Sequence, residues 1–469
     1  MATVTEHAPR PRRNVELALL VLAVGISVAA YGLVNVGVAG DWPAGIWVYG
    51  AGFAVLCLAI HLVVRFRANF ADPTLLPVAV TLNGLGLAMI HRIDLAKSAS
   101  NPDWGLLAPR QLMWAGIGVS AAIVVIWLLN DHRILRRYTY TAMVLGLGLL
   151  ALPMLPGLGK TINGARIWIG IGPLSFQPGE LAKIVLAVFF AGYLVNQRDN
   201  LSLAGPTFLK MRLPRGRDLG PILIAWAVSV GILVLERDLG TSLLFFGLFV
   251  AMLYLATERV SWIAIGLGLF AAGAVVAYGL FSHVQARIDV WLHAFDNDIY
   301  NREIGGSYQV VQGLFGMAYG GLIGRGLGEG RPTIVPYAES DFILASLGEE
   351  LGLAGVFAIL ALYMILVQRG FRTAIGVRDG FGKLLAAGLA FAVALQVFVV
   401  AGGVTRVIPL TGLTMPLLAY GGSSLVSNWI LVGLLLRISD SARRPAAPVV
   451  TEDANATQVV SLQRGEAGA

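Results

Sequence analysis

Residues 384–403, LLAAGLAFAVALQVFVVAGG, form a nearly continuous apolar stretch, and stretches of this kind decide the fold. About 20 such residues are enough to cross a ~30 Å hydrocarbon core as a helix. The composition agrees: apolar residues make up 57% of the chain and charged residues 13%, with a mean hydropathy of +0.75, whereas soluble proteins have about 25% charged residues. Because lipid offers the backbone no hydrogen-bond partners, we predict an all-α polytopic membrane protein.

The apolar runs predict about twelve transmembrane helices. A cytoplasmic segment, 1–14, precedes two helices in 15–71, ten more follow in 72–440, and a polar, alanine-rich tail, 441–469, is predicted to be disordered. The predicted spans are 15–39, 43–64, 73–92, 107–130, 138–155, 178–195, 219–235, 239–256, 260–281, 343–367, 383–403 and 414–437.

The basic residues predict the orientation, because Lys and Arg are retained on the cytoplasmic side during insertion. With a cytoplasmic N-terminus, the inner segments carry 22 of the 34 Lys and Arg residues and the outer segments carry 11. Both termini are therefore predicted to be cytoplasmic in a plasma-membrane protein, with extracytoplasmic loops near 156–177, 282–342 and 404–413. This asymmetry accounts for a pI near 9.6, so the charge does not call for a nucleic-acid partner.

The 282–342 loop is the longest, and it is not a passive linker. FDNDIYNREIGGSYQ (295–309) combines acidic, basic and aromatic side chains, whereas GLFGMAYGGLIGRGLG (313–328) is too apolar for a free loop and too short to span. Irregular backbone at membrane depth is tolerated only where protein covers it or where it lines a wet cavity. We predict that 313–328 is re-entrant or interfacial and that the loop carries a functional site.

Five motifs resemble those of one family. RVIPLTGLTMPLLAYGGSSLVSNW (406–429) resembles the signature of the shape, elongation, division and sporulation (SEDS) family of FtsW, RodA and SpoVE, and the resemblance covers roughly 72–440. Ala419 replaces the Ser that usually precedes Tyr-Gly-Gly. Two helices precede the usual ten-helix core, an extension similar to that of actinobacterial RodA proteins. The other motifs are GARIWIGIGPLSFQPGELAK (164–183), RDLGTS (237–242), GGSYQVVQG (305–313) and ESDFILASLGEELGLAG (339–355).

The resemblance implies a peptidoglycan glycosyltransferase that polymerises lipid II at the outer face of the plasma membrane during cell elongation or division. In this chemistry a carboxylate accepts the proton of the attacking sugar hydroxyl, and cationic groups stabilise undecaprenyl pyrophosphate as it leaves. The resemblance also implies a class B penicillin-binding protein as the crosslinking partner, since the sequence contains no Ser-x-x-Lys motif. Membrane lipids are the remaining expected contact.

The resemblance places the catalytic aspartate a few residues before a Gly-x-Tyr-Gln element, which is GSYQ at 306–309. Asp298 is the predicted general base, and Asp296 is the alternative because the preceding segment is longer than usual in the family. Tyr308 and Gln309 are predicted to contact the substrate. The competing interpretation is that these acids are ordinary solvated loop charges.

Basic residues of the outer loops are candidates for binding the pyrophosphate, since a guanidinium can bind phosphate oxygens bidentately. Arg287 lies at the mouth of the 282–342 loop, and Arg166 lies in the 156–177 loop. Anchoring of a helix end at the membrane interface is the alternative for both.

Ionisable residues within spans are predicted to face the protein interior, because exposure to lipid costs about 3 kcal/mol or more. Glu180 and Lys183 share one helix face, where they form either a structural pair, which we favour, or a wall of the substrate cavity. Glu349, one turn into a helix, is a further candidate for substrate binding. Asp341 is predicted to cap the start of that helix.

The sequence specifies no cofactor, because its six His and one Cys are scattered and the glycine-rich run after Tyr308 contains no Gly-Lys-Ser/Thr phosphate cradle. A divalent cation that assists the carboxylate and the pyrophosphate is compatible with the sequence but not specified by it. The alternatives to a polymerase are a lipid II flippase and a non-catalytic scaffold. No internal repeat typical of transporters is evident, and a scaffold does not require the buried charges or the acidic loop.

Overall fold

The computed structural model describes residues 11–162, 165–172, 174–202, 207–208, 211–212, 216–236 and 238–445. Most of the predicted tail and the first ten residues lie outside these ranges. The helices, in chain order, are α1 (Arg13–Ala39), α2 (Ile46–Arg67), α3 (Leu75–Ser100), α4 (Ala108–Leu128), α5 (Thr139–Ala151), α6 (Pro178–Ser202), α7 (Gly216–Leu235), α8 (Leu239–Thr257), α9 (Ser261–Leu280), α10 (Ser282–Leu292), α11 (Asn297–Tyr300), α12 (Tyr308–Gly320), α13 (Ile343–Gly376), α14 (Gly380–Val404) and α15 (Gly422–Arg443).

Ten helices within the described ranges are long and apolar enough to cross a membrane. The other two predicted spans correspond to α7, which has 20 residues, and to α5. Although α5 has only 13 residues, 3-10 helices at His132–Tyr138 and Leu152–Met154 extend it at both ends. The polytopic helical fold is therefore confirmed.

Two small antiparallel sheets modify the all-α prediction. β1 (Gly159–Ile162), β2 (Ala165–Ile171) and β3 (Leu174–Phe176) form a three-stranded sheet in the loop before α6. β4 (Thr207–Phe208) and β5 (Met211–Arg212) form a hairpin before α7. The first sheet matters for the site, because its last strand leads directly into the start of α6.

The core of the bundle is formed by α3, α6, α14 and α15, which are buried over most of their length, whereas α9 is almost wholly exposed. Glycines allow close packing around this core. A Cβ added at Gly84 of α3 would overlap the hydroxyl of Ser27 on α1, and one at Gly118 of α4 would lie 2.8 Å from the indole of Trp429 on α15.

The two ends of the bundle differ. One end, called here the loop-rich end, carries the first sheet, α10–α12, the 321–342 segment and the 405–421 segment. At the opposite end, the buried carboxylate of Asp72 pairs with Arg443, and Asp440 accepts a hydrogen bond from the backbone N–H of Phe70 at 2.8 Å. These contacts join the connection between α2 and α3 to the end of α15.

The glycine-rich run after α12 docks onto α13 at a break in that helix. Gly352 has φ +70°, which interrupts the helical hydrogen bonding. The backbone N–H groups of Leu353 and Ala354 instead donate to the carbonyl oxygens of Gly321 and Leu322, at 2.9 and 3.0 Å. The predicted short apolar segment is therefore the end of a 13-residue helix and a loop whose Leu322 and Ile323 side chains are exposed, and its depth in a membrane stays a prediction.

Candidate functional site

The first part of the site is the buried pair on α6. Lys183 Nζ lies 2.6 Å from Glu180 Oε2 and donates to Gln396 Oε1 at 3.0 Å. Gln396 Nε2 in turn donates to the carbonyl oxygen of Thr414 at 2.8 Å. The predicted pairing is confirmed, and the pair connects α6 to α14 and to the 405–421 segment.

Asp238 adds an acid beside this pair. It is the N-cap of α8, where its Oδ1 accepts from the backbone N–H of Thr241 at 2.9 Å, and Gln177 Nε2 donates to its Oδ2 at 3.4 Å. The Asp238 carboxylate is also close enough to interact electrostatically with Glu180 and Arg287. The sequence signals part of this arrangement, since an Asp three residues before Thr241 at a helix start is a favoured cap.

Arg287, on α10, interacts electrostatically with Asp238 and with Asp341. Its Nη1 donates to the carbonyl oxygen of Leu410 at 2.8 Å, which ties α10 to the 405–421 segment. We call Glu180, Lys183, Asp238, Arg287 and Asp341 the Arg287 cluster.

The prediction that Asp341 caps α13 is wrong. The N-cap is Phe342, which makes no side-chain capping bond. Asp341 is only partly exposed, and this burial raises its pKa to about 6, although the positive charge of Arg287 opposes the rise. The sequence does not reveal its proximity to Arg287, because the two residues are far apart in the chain and come together only in the folded protein.

Two neighbouring acids are perturbed in the same direction. Burial raises the pKa of Asp238, while hydrogen bonds from Thr241 oppose the rise. Burial, with a smaller contribution from the Asp238 charge, raises the pKa of Glu236 to about 8. Burial lowers the pKa of Arg287, whereas the two acids beside it raise it. Strongly perturbed acids around a partly exposed cation are typical of functional sites.

The predicted general bases lie on the segment that follows α10, the helix that carries Arg287. Asp298 is exposed on α11, and Asp296 Oδ2 lies 3.4 Å from His293 Nδ1. The backbone N–H of Ser307 donates to the carbonyl oxygen of Ile299 at 3.1 Å, which closes the loop over α11. Only four residues separate α10, which carries Arg287, from α11, which carries Asp298.

Other predicted site residues are placed differently. Tyr308 begins α12 with its ring 5.5 Å from that of Tyr300, and Gln309 is the next residue of that helix. Arg166, on β2, donates to the carbonyl oxygen of Leu155 at 3.1 Å. Glu349 accepts from the backbone N–H of Arg331 at 2.9 Å. The Glu349 contact is structural, and substrate binding by these residues stays a prediction.

A divalent cation would need ligands from this set of acids. Within the described ranges, no three His, Cys, Asp or Glu side chains converge as a metal site would require. Mg²⁺ is commonly held by one or two carboxylates together with substrate phosphates. The residues present therefore fit a cation only if the pyrophosphate supplies part of its coordination.

Comparison with known proteins places this geometry in a family. The FtsW, RodA and SpoVE family of cell cycle proteins matches residues 73–444. The chain is 50% identical to the peptidoglycan glycosyltransferase RodA of Mycobacterium tuberculosis over 447 residues, covering 95% of this chain and 94% of the relative. It is 33% identical to a probable peptidoglycan glycosyltransferase FtsW of Trichlorobacter lovleyi, covering 83% and 98%.

Solved structures of related proteins resemble this chain over most of its length. A structure of a peptidoglycan synthase complex that coordinates polymerization and crosslinking matches with a TM-score of 0.62 at 27% identity, covering 79% of this chain and 98% of the other. The rod shape determining protein RodA of Thermus thermophilus matches with a TM-score of 0.56 at 26% identity, covering 80% and 98%.

Proposed function

The chain belongs to the FtsW, RodA and SpoVE family, and on that premise we propose that it is a peptidoglycan glycosyltransferase that polymerises lipid II into glycan strands. The observation that supports this most directly is the Arg287 cluster, which brings partly exposed acids and a cation together at one end of an apolar bundle. A lipid-linked substrate needs such a site, because its tail stays in the bilayer while its pyrophosphate and sugars react in water.

The reaction requires one proton transfer and one substitution. The acceptor sugar hydroxyl loses its proton to a carboxylate and attacks the anomeric carbon of the donor, and the bond from that carbon to the pyrophosphate oxygen breaks. We assign the base to Asp298, because it is exposed on the segment that follows α10 and precedes the GSYQ element, and keep Asp296 as the alternative. Asp341 is a further candidate, since a pKa of about 6 suits a base that works near neutral pH.

Arg287 is assigned to the leaving group. Its guanidinium is partly exposed, and a fixed cation stabilises the charge that develops on the departing pyrophosphate. The bond from its Nη1 to Leu410 fixes one edge of the guanidinium and leaves other N–H groups for phosphate oxygens. Glu180 and Lys183 pair with each other, and Lys183 also donates to Gln396, so we assign the pair a structural role.

The loop-rich end is assigned to the outside of the plasma membrane and both termini to the cytoplasm. The basic-residue asymmetry supports this orientation. A class B penicillin-binding protein is the proposed partner, in keeping with the related synthase complex that couples polymerization and crosslinking. The exposed face of α9 is available to such a partner or to lipid.

Purified protein incubated with lipid II tests the proposal, with glycan strands separated by gel electrophoresis. We expect glycan strands to form from lipid II alone. Arg287→Gln should lower the rate of their formation on the order of 10²-fold. A parallel assay of lipid II flipping in liposomes separates the alternatives. Flipping without polymer would identify a transporter, and neither activity would leave a scaffold.

A further inference from the structure

The helices α1 and α2 lie before the family match, which begins at residue 73. Nevertheless, α1 crosses the whole bundle and meets the loop-rich end. Its last turn contacts the glycine-rich loop that follows α12, at Leu327 and Gly328.

The contact between α1 and the loop is backbone against backbone. A Cβ added at Gly37 would overlap the carbonyl oxygen of Leu327 and lie 3.0 Å from the Cα of Gly328. A Cβ added at Gly328 would lie 2.8 Å from the Cα of Gly37 and from the carbonyl oxygen of Val34. Since contacts under 3.0 Å require something to shift, the two surfaces approach as closely as they do only because both positions are glycine.

The same loop, residues 324–331, is held from the other side by buried charges. Glu350 accepts from the backbone N–H of Gly328 at 2.9 Å and pairs with Arg92 Nε at 2.8 Å. Arg92 Nη2 donates to the carbonyl oxygen of Gly330 at 2.6 Å, and Glu349 accepts from the N–H of Arg331. The loop is therefore held against α1, α3 and α13 at its buried residues Gly328 and Gly330.

The opposite end of α1 is also fixed. Arg13 Nη1 lies 2.5 Å from Glu16 Oε2, and Glu16 Oε1 lies 2.7 Å from Nδ1 of His61 on α2. Arg13 also donates to the carbonyl oxygen of Ala71, at the connection into the core. With both ends bound and Ser27 packed against α3, α1 is a rigid support for the loop.

We propose that the last turn of α1, at Gly37, positions the 324–331 loop and thereby the catalytic elements on either side of it. This loop joins α12, which begins at Tyr308, to the segment that carries Asp341, so a shift in it displaces both. Gly37 is thus a positioning residue. The inference rests on the proposed glycosyltransferase function for its effect on activity, but not for the contact itself.

Gly37→Ala and Gly25→Ala form a matched pair for the test. Both substitutions lie on α1 and raise helix propensity equally, but a Cβ at Gly25 meets no atom within 4 Å. Polymerisation of lipid II is measured beside limited trypsin digestion of the full-length protein, with cleavage after Arg325 compared with cleavage after Arg302. Both arginines are exposed, but only Arg325 lies in the loop that α1 supports.

We expect Gly37→Ala to lower the polymerisation rate on the order of 10-fold or more, since a displacement of about 1 Å can cost 10²-fold. Cleavage after Arg325 should accelerate while cleavage after Arg302 stays unchanged, and Gly25→Ala should match the wild type in both assays. Either effect without the other, or acceleration at both sites, overturns the proposal. If the wild type forms no polymer, the proposed function fails. Independently of that result, equal rates of loop cleavage in Gly37→Ala and Gly25→Ala would refute the proposed contact.

Discussion

Asp341 acquires its chemistry from residues that are distant in sequence. Burial between α13 and the surrounding loops raises its pKa to about 6, and Arg287 limits that rise. At neutral pH the acid is therefore mostly ionised, although it is close to the pH at which it gains a proton.

The first prediction concerns pH. If the ionised form of Asp341 is required, the polymerisation rate should fall about tenfold per pH unit below pH 6 and stay level above it. Asp341→Asn should lower the rate and remove this inflection, whereas Asp103→Asn, at an exposed position, should preserve it. An inflection near pH 6 that survives Asp341→Asn would assign it to another group.

Unfolding cannot explain such an acid loss of activity through this group. Because the folded-state pKa of Asp341 is raised above the usual 3.8, its contribution to folding stability is full below about pH 4. That contribution is lost as the pH rises through 6. Thermal stability of wild type and Asp341→Asn across the same pH range provides the control.

The Glu180–Lys183 pair yields a prediction about stability. Lys183→Met leaves a buried carboxylate without its partner, which costs on the order of 3 kcal/mol. The double variant Glu180→Gln/Lys183→Met should recover part of that loss, and Lys383→Met, at an exposed position, should be neutral. Thermal unfolding in detergent is the measurement. Unchanged stability with lost polymerisation would instead make the pair part of the substrate-binding wall.

At the scale of single residues, the sequence predicts contacts between side chains that are close in the chain but not contacts between distant ones. The spacing of three residues between Glu180 and Lys183 is enough to predict their pairing. The hydrogen bond between Lys183 and Gln396 and the electrostatic interaction between Arg287 and Asp341 depend on how distant parts of the chain pack together. No local pattern around those residues carries that information.

At the scale of elements, α3 packs closely on the 405–421 segment. A Cβ at Gly86 would overlap the carbonyl oxygen of Leu418, whereas one at Gly116 on α4 meets only a Leu56 methyl at 3.9 Å. Gly86→Ala should therefore destabilise the protein by about 1–3 kcal/mol through overpacking, and Gly116→Ala should not. Thermal unfolding of the two variants is the comparison, and equal melting temperatures would contradict the packing.

Hydrophobic length predicts the spanning elements well, since each predicted span corresponds to a helix. It predicts less within the loops. The helices α10–α12 and the strands β1–β3 are short, and their stability comes from contacts with the bundle, such as that of Arg406 Nε with the carbonyl oxygen of Trp291 at 2.7 Å. The break at Gly352 is likewise not predictable from hydrophobic length. The backbone N–H groups that the break frees, those of Leu353 and Ala354, donate to a loop that precedes α13 in sequence.

At the scale of the whole molecule, the two ends of the bundle must lie on opposite sides of the membrane. A reporter fused after Gly305, at the loop-rich end, should behave as extracytoplasmic. One fused after Val377, between α13 and α14, should behave as cytoplasmic. Reversed signals would place the Arg287 cluster in the cytoplasm, where it could not build glycan strands outside the cell.

The central claim is that this protein polymerises lipid II with a carboxylate at the loop-rich end, and the most direct measurement is the rate of glycan strand formation by purified wild type, Asp298→Asn and Asp296→Asn. Loss of a general base costs 10²–10⁴-fold. We therefore expect strands from the wild type, a loss of at least about 10²-fold in Asp298→Asn, and most activity retained in Asp296→Asn. The reverse pattern in the two variants would move the base to Asp296. Normal polymerisation by both single variants and by the double variant would contradict the assignment of catalysis to this loop.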